Sequence, residues 1–454
     1  MSRELLNKAR ERAEHFLEEI DSRRVFPDQA ALTGLSGFEE VFPEQGATEE
    51  QVLELLDRYG APATVASAGR RYFGFVVGGT LPVTIGANWM ATAWDQVASS
   101  KVTSPVMDKI EQVTSGWLLD VLDLPEESVV GYVTGATMAT FTALAAARHK
   151  LLARQGWDVE GRGLFGAPEI KVVVSDEVHV TVLKALSLLG FGKERVVRVP
   201  TDANGAMDIA SHPELDDMTI VCVQAGNVNS GAFDPVAEIC GRASKAGAWV
   251  HVDGAFGLWA RAAKELKHLT AGVEKADSWA TDGHKWLNTP YDAGVVICRD
   301  QQSLYQAMSV SAAYLREIDT AAQNYMPEFS KRARGLEIWA ALKFLGRNGV
   351  DELVTGCCQR ARLFARGLEG LGLTIQNSVV LNQVVVSWDS PEKTEALMQA
   401  VQKEGTCWFG PTVWKGKAAF RISVSSWKTT EEDIQLSLQA IKKCMATVNA
   451  GGKA

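Results

Sequence analysis

Hydrophobic and polar positions follow helical spacing at the start of the chain and change to short apolar runs near Gly131. Across residues 2–20 (SRELLNKARERAEHFLEEI), Leu6, Ala9, Ala13, Phe16, Leu17 and Ile20 fall on one face, which predicts an amphipathic helix. Little nearby sequence offers that face a partner, so a second subunit is the expected one. Arg24 to Gly46, rich in Pro, Gly and acidic residues, reads as an extended arm. Thr48, with Gln51 three residues later, forms a capping box that opens a helix to Tyr59. Ser104 as N-cap and Pro105 in the first turn open another over Ser104 to Leu122.

Beyond Gly131 the expected strands are Lys171–Ser175, Arg195–Val199, Thr219–Gln224, Ala248–Val252 and Ala293–Cys298. Expected helices lie between them at Thr137–Gln155, Val180–Leu189 and Asp234–Ala246. Continuous Val and Ile runs spaced by helices predict an α/β fold with a mostly parallel sheet covered on both faces. A helix over Lys331–Leu345 is followed by Gly346-Arg347-Asn348-Gly349, read as a hinge or C-cap. Strands Val384–Trp388 and Ala419–Val424, flanked by helices, then suggest a smaller α+β domain. The expected division is an arm over 1–60, a large domain over 61–345 and a small domain over 346–454.

A length of 454 residues supports more than one domain, and a net charge of −9 argues against nucleic acid as the main partner. The chain shows neither an 18-residue apolar run nor a leader pattern at its start, so a cytoplasmic protein without membrane association is expected. Seven cysteines without a C-x-x-C pair indicate reduced thiols, with no disulfide framework or metal site.

Four stretches carry candidate chemistry. Gly135-Ala136-Thr137 stands where an apolar segment gives way to a helix, a place for a phosphate or an ordinary N-cap. Ser175 to His179 follows a strand, so His179 would sit at its carboxyl edge, stacking on a planar ligand or bonding locally. In His251-Val252-Asp253-Gly254-Ala255, a strand-end carboxylate needs a cationic partner, and Ala255 leaves room for a flat ring. Lys285, in Ser278 to Trp286 (SWATDGHKW), is either a solvated charge or a desolvated amine suited to capturing an aldehyde. In that order they provide what pyridoxal 5'-phosphate requires. The aromatic stretch Arg70 to Gly79, with Phe73 and Phe75, is a pocket wall or a hydrophobic plug, and Trp89 is a further aromatic candidate. Gly161 to Gly166 fits G-x-G-x-x-G but lacks the strand before and helix after that a dinucleotide site needs.

The chain resembles the group II pyridoxal-phosphate-dependent amino-acid decarboxylases, of the aspartate-aminotransferase fold (fold type I). HVDGAFG (251–257) and DGHKW (282–286) carry the resemblance most specifically, supported by TGATMATFTALAAAR (134–148) and DEVHVTVLKAL (176–186). The resemblance implies a seven-stranded, mostly parallel sheet, a homodimer with its active site at the subunit interface, and an amino-acid substrate. It implies that Lys285 binds the cofactor aldehyde, Asp253 pairs with the ring nitrogen, His179 stacks over the ring and Ala255 lies beneath it. Gly135, Ala136, Thr137 and His284 would hold the phosphate, and Asn227 falls where the aromatic decarboxylases have a threonine near the ring. Arg421 looks like the arginine that holds a substrate carboxylate, with Phe73 lining the substrate pocket. The family's loop tyrosine, which protonates the substrate carbon, corresponds to the stretch Tyr314 to Phe329, with Tyr325 as the candidate. The implied reaction is decarboxylation to the amine, the alternative being an aldehyde synthase, aldolase or aminotransferase.

Overall fold

The computed structural model describes residues 3–310 and 321–451. The chain divides into a large unit, Thr80–Ala361 with Asn377–Val384, and a small unit, Met1–Gly79 with Arg362–Gln376 and Val385–Ala454. The first 79 residues thus belong with the C-terminal segments, where the sequence suggested a separate arm followed by the large domain.

The large unit is built on seven strands: β1 (Val129–Val133), β2 (Lys171–Ser175), β3 (Val197–Val199), β4 (Thr219–Gln224), β5 (Trp249–Asp253), β6 (Ser278–Asp282) and β7 (Gly294–Cys298). Their order is β1-β7-β6-β5-β4-β2-β3. β7 runs antiparallel to both neighbours, and the other pairs are parallel. In register, Gln224 faces Asp253 and Asp253 faces Ala280, so β4, β5 and β6 end at one edge. β4 to β7 are buried along their whole lengths, and for β4, β5 and β7 this is why they read as apolar runs. β6 is the exception: Ser278-Trp279-Ala280-Thr281-Asp282 carries three polar residues. Ser278 is satisfied inside the core, its Oγ accepting from Trp249 Nε1 at 2.9 Å and lying 3.0 Å from His251 Nδ1.

The helix Ala136–Arg154 follows β1, and its alanine-rich sequence lets it pack closely; eleven of its residues are buried. Gly346 breaks the helical backbone, as the expected hinge requires: two helical segments between Gly335 and Gly370 meet there at a kink, with φ 59° and ψ −177°. The small unit is built around four strands: β8 (Thr374–Ile375), β9 (Gln383–Ser387), β10 (Gly410–Trp414) and β11 (Lys417–Ser423). They form an antiparallel sheet in the order β10-β11-β9-β8. The expected capping box of Thr48 and Gln51 is present, as is the Ser104 cap. Among the described residues no helix is long and apolar enough to cross a membrane.

One backbone contact fixes where the helix Ala136–Arg154 begins. A Cβ on Gly294 of β7 would lie 2.3 Å from Gly135 Cα and 2.5 Å from Gly135 N. The Gly294→Ala variant is expected to push Gly135 away and lose about 1–3 kcal/mol of stability, the usual range for overpacking. Urea unfolding checks this; an unchanged midpoint would mean that the Gly135 backbone yields freely.

Candidate active site

The carboxyl ends of β1, β2, β4, β5 and β6 carry the candidate residues, as expected for a ligand site in a sheet of this type. Lys285 follows β6 by three residues, and its Nζ lies 3.2 Å from Asp282 Oδ2. Asp282 is buried, and its other oxygen accepts a hydrogen bond from the Ala136 amide at 2.6 Å. This carboxylate therefore caps the helix Ala136–Arg154, whose N-cap Gly135 has no side chain to do so. His284 is buried beside it, with Nδ1 accepting from the Ala293 amide at 3.0 Å and the ring 4.3 Å from that of Tyr291. Burial lowers the His284 pKa and favours the neutral ring.

Asp253 ends β5 at 6% exposure. It accepts from the Ala255 amide at 3.3 Å and makes no ion pair among the described residues; the ion pairs at this edge belong to Asp282. A buried carboxylate in that state calls for a cation from a ligand. Ala255 is half-buried, and its carbonyl accepts from the Asp282 amide at 2.9 Å, joining the ends of β5 and β6. His179 caps the helix Val180–Leu188, with Nδ1 2.6 Å from Thr181 Oγ1. Beyond β4, Asn227 is buried in a turn that its own side chain closes: Oδ1 accepts from the amides of Asn229 at 2.8 Å and Ser230 at 3.2 Å. Asn227 Nδ2 and Gln224 Nε2 are buried without hydrogen-bond partners among the described residues.

These atoms fit pyridoxal phosphate. Gly135, Ala136 and Thr137 start a nineteen-residue helix, where an anion is favoured. Asp253 suits a protonated ring nitrogen, Lys285 an aldehyde, and the orphan amides suit acceptors on a polar ring.

Two expected residues lie elsewhere. Tyr325 is buried in the hydrophobic core of the large unit, its hydroxyl accepting from Gln301 Nε2 at 2.9 Å and its ring edge-on to Tyr305 at 5.7 Å. It also lines a cavity of about 460 Å³ beside β1 with Glu111, Tyr132 and Lys331, a lining that does not include Lys285. Phe73 is fully buried in the small unit, edge-on to Phe364 at 5.3 Å, so it is core and not pocket wall. Arg421 lies on β11 of the small unit, and burial pulls its pKa down to about 10. Sequence reasoning missed Asp282, although an Asp three residues before a Lys at a strand end was a usable signal. Gln224, read as strand, gave none.

The family model described as the pyridoxal-dependent decarboxylase conserved domain matches residues 33–386. An aromatic-L-amino-acid decarboxylase of Bacillus atrophaeus is 25% identical over 425 residues, 88% of this chain and 86% of that protein. Tryptophan decarboxylase 1 of Oryza sativa subsp. japonica is 25% identical, covering 97% of this chain and 93% of its own. The crystal structure of Oryza sativa TDC with PLP and tryptamine matches with a TM-score of 0.89 at 23% identity, covering 98% of both chains. The chain belongs to the pyridoxal-dependent decarboxylase family. It is a carboxy-lyase of amino-acid metabolism, and pyridoxal phosphate is its cofactor.

Asp282→Ala is expected to free the Lys285 amine and uncap the helix at once, weakening cofactor binding at least about tenfold, since each charge-assisted hydrogen bond contributes roughly 1.5–3 kcal/mol. Equilibrium dialysis with pyridoxal phosphate measures this, and wild-type affinity would show that Asp282 holds neither.

Proposed function

We propose that the protein decarboxylates an aromatic L-amino acid to the corresponding amine and carbon dioxide, acting as a homodimer. The reaction class follows from the family. What supports an aromatic side chain is the similarity to an aromatic-L-amino-acid decarboxylase and a tryptophan decarboxylase; the small unit, taken by itself, also carries a ring cluster. Tyr72 and Trp408 stack at 5.1 Å and 6°, and Phe75 lies 5.5 Å from Trp408 while remaining 58% exposed. Phe75 and Val76 both hold positive φ, 54° and 57°. Such backbone costs on the order of 1–3 kcal/mol per residue and persists mostly at functional sites. An exposed ring held there offers an edge or face to another ring.

Bound pyridoxal phosphate supplies an electron sink for the pair left on Cα when the carboxylate departs. The chain's own groups do the rest. Asp253 supplies the fixed negative charge that keeps a ring nitrogen protonated. With the Ala136 amide taken by Asp282, Thr137 and His284 would hold the phosphate at the start of that helix. His179, near the end of β2, would cover the ring, and Ala255 would leave room on its other face. Asp282 holds the Lys285 amine in place, and Lys285 would be the residue that binds the cofactor aldehyde. Within the small unit, the desolvated guanidinium of Arg421 presents a fork that can donate two hydrogen bonds to a carboxylate.

Protonation of the substrate carbon needs a further acid. The loop stretch contains two tyrosines, Tyr325 and Tyr314, and Tyr314 lies outside the described residues. Because Tyr325 is committed to the core, the proton-donor role falls to Tyr314. Tyr314→Phe is expected to slow amine formation by about 10²–10⁴-fold, the usual contribution of a general acid, with Tyr325→Phe nearly unchanged. The opposite ranking would return the role to Tyr325. The test of the whole reading is a product assay of the loaded enzyme with phenylalanine, tyrosine, tryptophan and glutamate. Carbon dioxide with a matching aromatic amine is expected. Aldehyde with peroxide would move the reaction to an aldehyde synthase, and activity on glutamate alone would sink the aromatic assignment.

The dimer rests on the helix Pro82–Trp94, whose largely apolar sequence buries only Thr84. Trp89, Met90 and Trp94 are exposed along it, followed by Val97 and Val102. Apolar surface of this kind marks an interface. A Met90→Glu, Trp94→Glu double variant is expected to sediment as a monomer where the wild type sediments as a dimer; an unchanged dimer would place the interface elsewhere.

A further inference from the structure

We propose that the large unit holds a second binding site, a cavity beside β1 that takes a small primary ammonium ion of the kind a decarboxylation releases. That the amine is a product rests on the reaction above; that the cavity takes a cation rests on its own lining. The cavity has a volume of about 460 Å³, a usual size for a small-molecule site, and its lining does not include Lys285. One wall is the helix Pro105–Val121. Asp108, Glu111 and Ser115 follow one another at helical spacing, so they share a face of it, and all three line the cavity. Another wall is β1. It is the outermost strand of its sheet, paired with β7 alone among the described residues, so alternate backbone N–H and C=O groups face away from the sheet. Tyr132 O accepts from Lys331 Nζ at 3.4 Å, which marks that row as the cavity side, and Val130 belongs to the same row.

The polar groups around this space do not satisfy one another. Glu111 Oε2 lies 3.4 Å from Lys331 Nζ, a long contact for an ion pair whose members are both buried. Glu111 Oε1 has no hydrogen-bond partner among the described residues, and neither has the Oγ of Ser128, a residue 8% exposed just before β1. Burying such oxygens without partners costs the fold their desolvation, so a donor from a ligand is the simplest completion.

Charge decides which ligand. Asp108, Glu111 and Lys331 are the charged residues of the lining, an excess of one carboxylate, and the lysine is already engaged with Glu111 and Tyr132 O. The groups left over can all accept: Glu111 Oε1, Ser128 Oγ and the outward carbonyl of Val130. An ammonium group carries three donors and no acceptor, so it matches them, whereas a carboxylate would meet Asp108 and Glu111. Val129, Met326 and the Tyr325 ring supply apolar surface for the rest of the amine.

The test uses cofactor-loaded protein and phenethylamine. Equilibrium dialysis counts all bound amine, whereas the visible absorption of the cofactor responds to amine at the Lys285 site, so the difference is the cavity's share. One amine per chain is expected in that share. Ser128→Ala and Glu111→Gln should each weaken it at least about tenfold, the effect of one lost hydrogen bond to a charged group, with the spectral response of the cofactor unchanged. Ser128→Ala removes an unpaired oxygen and should melt as wild type does. It decides the matter if Glu111→Gln, which leaves Lys331 without its carboxylate, fails to fold. Phenylacetate, a similar ring with the opposite charge, should not bind. Equal counts by the two methods would overturn the proposal, as would wild-type affinity in Ser128→Ala or phenylacetate binding as tightly as the amine. A loaded enzyme that makes no amine from any amino acid would instead overturn the reaction assigned above and leave this count standing.

Discussion

The buried carboxylate of Asp282 joins the parts of the site that the chain supplies from distant segments. One oxygen holds the first amide of the helix after β1, 146 residues earlier in sequence, and the other holds the Lys285 amine. Its backbone takes part as well: its amide donates to Ala255 O at 2.9 Å, and its carbonyl accepts from Trp259 Nε1 at 3.1 Å. Removing a carboxylate from water costs several kcal/mol, and only well-aligned hydrogen bonds to charged or dipolar groups offset that. The start of the helix after β1, Lys285 and the loop after β5 are therefore fixed relative to one another by a single residue. Displacing any one of them leaves this carboxylate unsatisfied.

Backbone contact supplies the second constraint. A Cβ on Gly257 would lie 2.1 Å from Ala225 O, so the loop after β5 lies directly on the loop after β4. This contact lets Asp253 and Asn227, which belong to those neighbouring strand ends, share one edge without an intervening side chain. The pattern explains why HVDGAFG reads as a unit in sequence. Asp253 carries charge, Ala255 stays small, and Gly257 permits the approach.

How much was legible in the sequence followed from which forces were local. β2, β4, β5 and β7 announced themselves because burial on both faces demands unbroken apolar runs. β6 stayed hidden because its serine and aspartate are satisfied by partners 27 to 146 residues away, which periodicity cannot register. The residues closing the strand ends, Asp253, Ala255, Lys285 and His179, were recognisable as motifs and occupy those ends. Phe73 was chosen by residue type and Tyr325 by its place in the stretch matching the family's loop, and an aromatic ring serves a core as readily as a pocket; only tertiary packing separates the two. Gly346 was legible for a local reason, its left-handed φ, and a second helical segment starts beyond it that buries Val350, Leu353 and Val354.

The same edge of the sheet leaves several buried polar groups without partners among the described residues. Asp253 lacks a cation, and the amides of Asn227 and Gln224 lack acceptors among the described residues, whereas a comparable group deeper in the unit is fully paired. That group is His251, two residues before Asp253 on the same strand, with partners on both ring nitrogens, Ser278 Oγ and Thr140 Oγ1. Burial drops its pKa to about 4, so it stays neutral in the core. The contrast between residues 251 and 253 is between a polar group completed by the fold and one left for a ligand. A ligand that binds the native state alone stabilises it by mass action. Here it would also relieve a buried, unpaired charge, so cofactor binding and the stability of the large unit are coupled through Asp253. Asp253 and the amides of Asn227 and Gln224 are thus groups that the fold by itself leaves incomplete among the described residues.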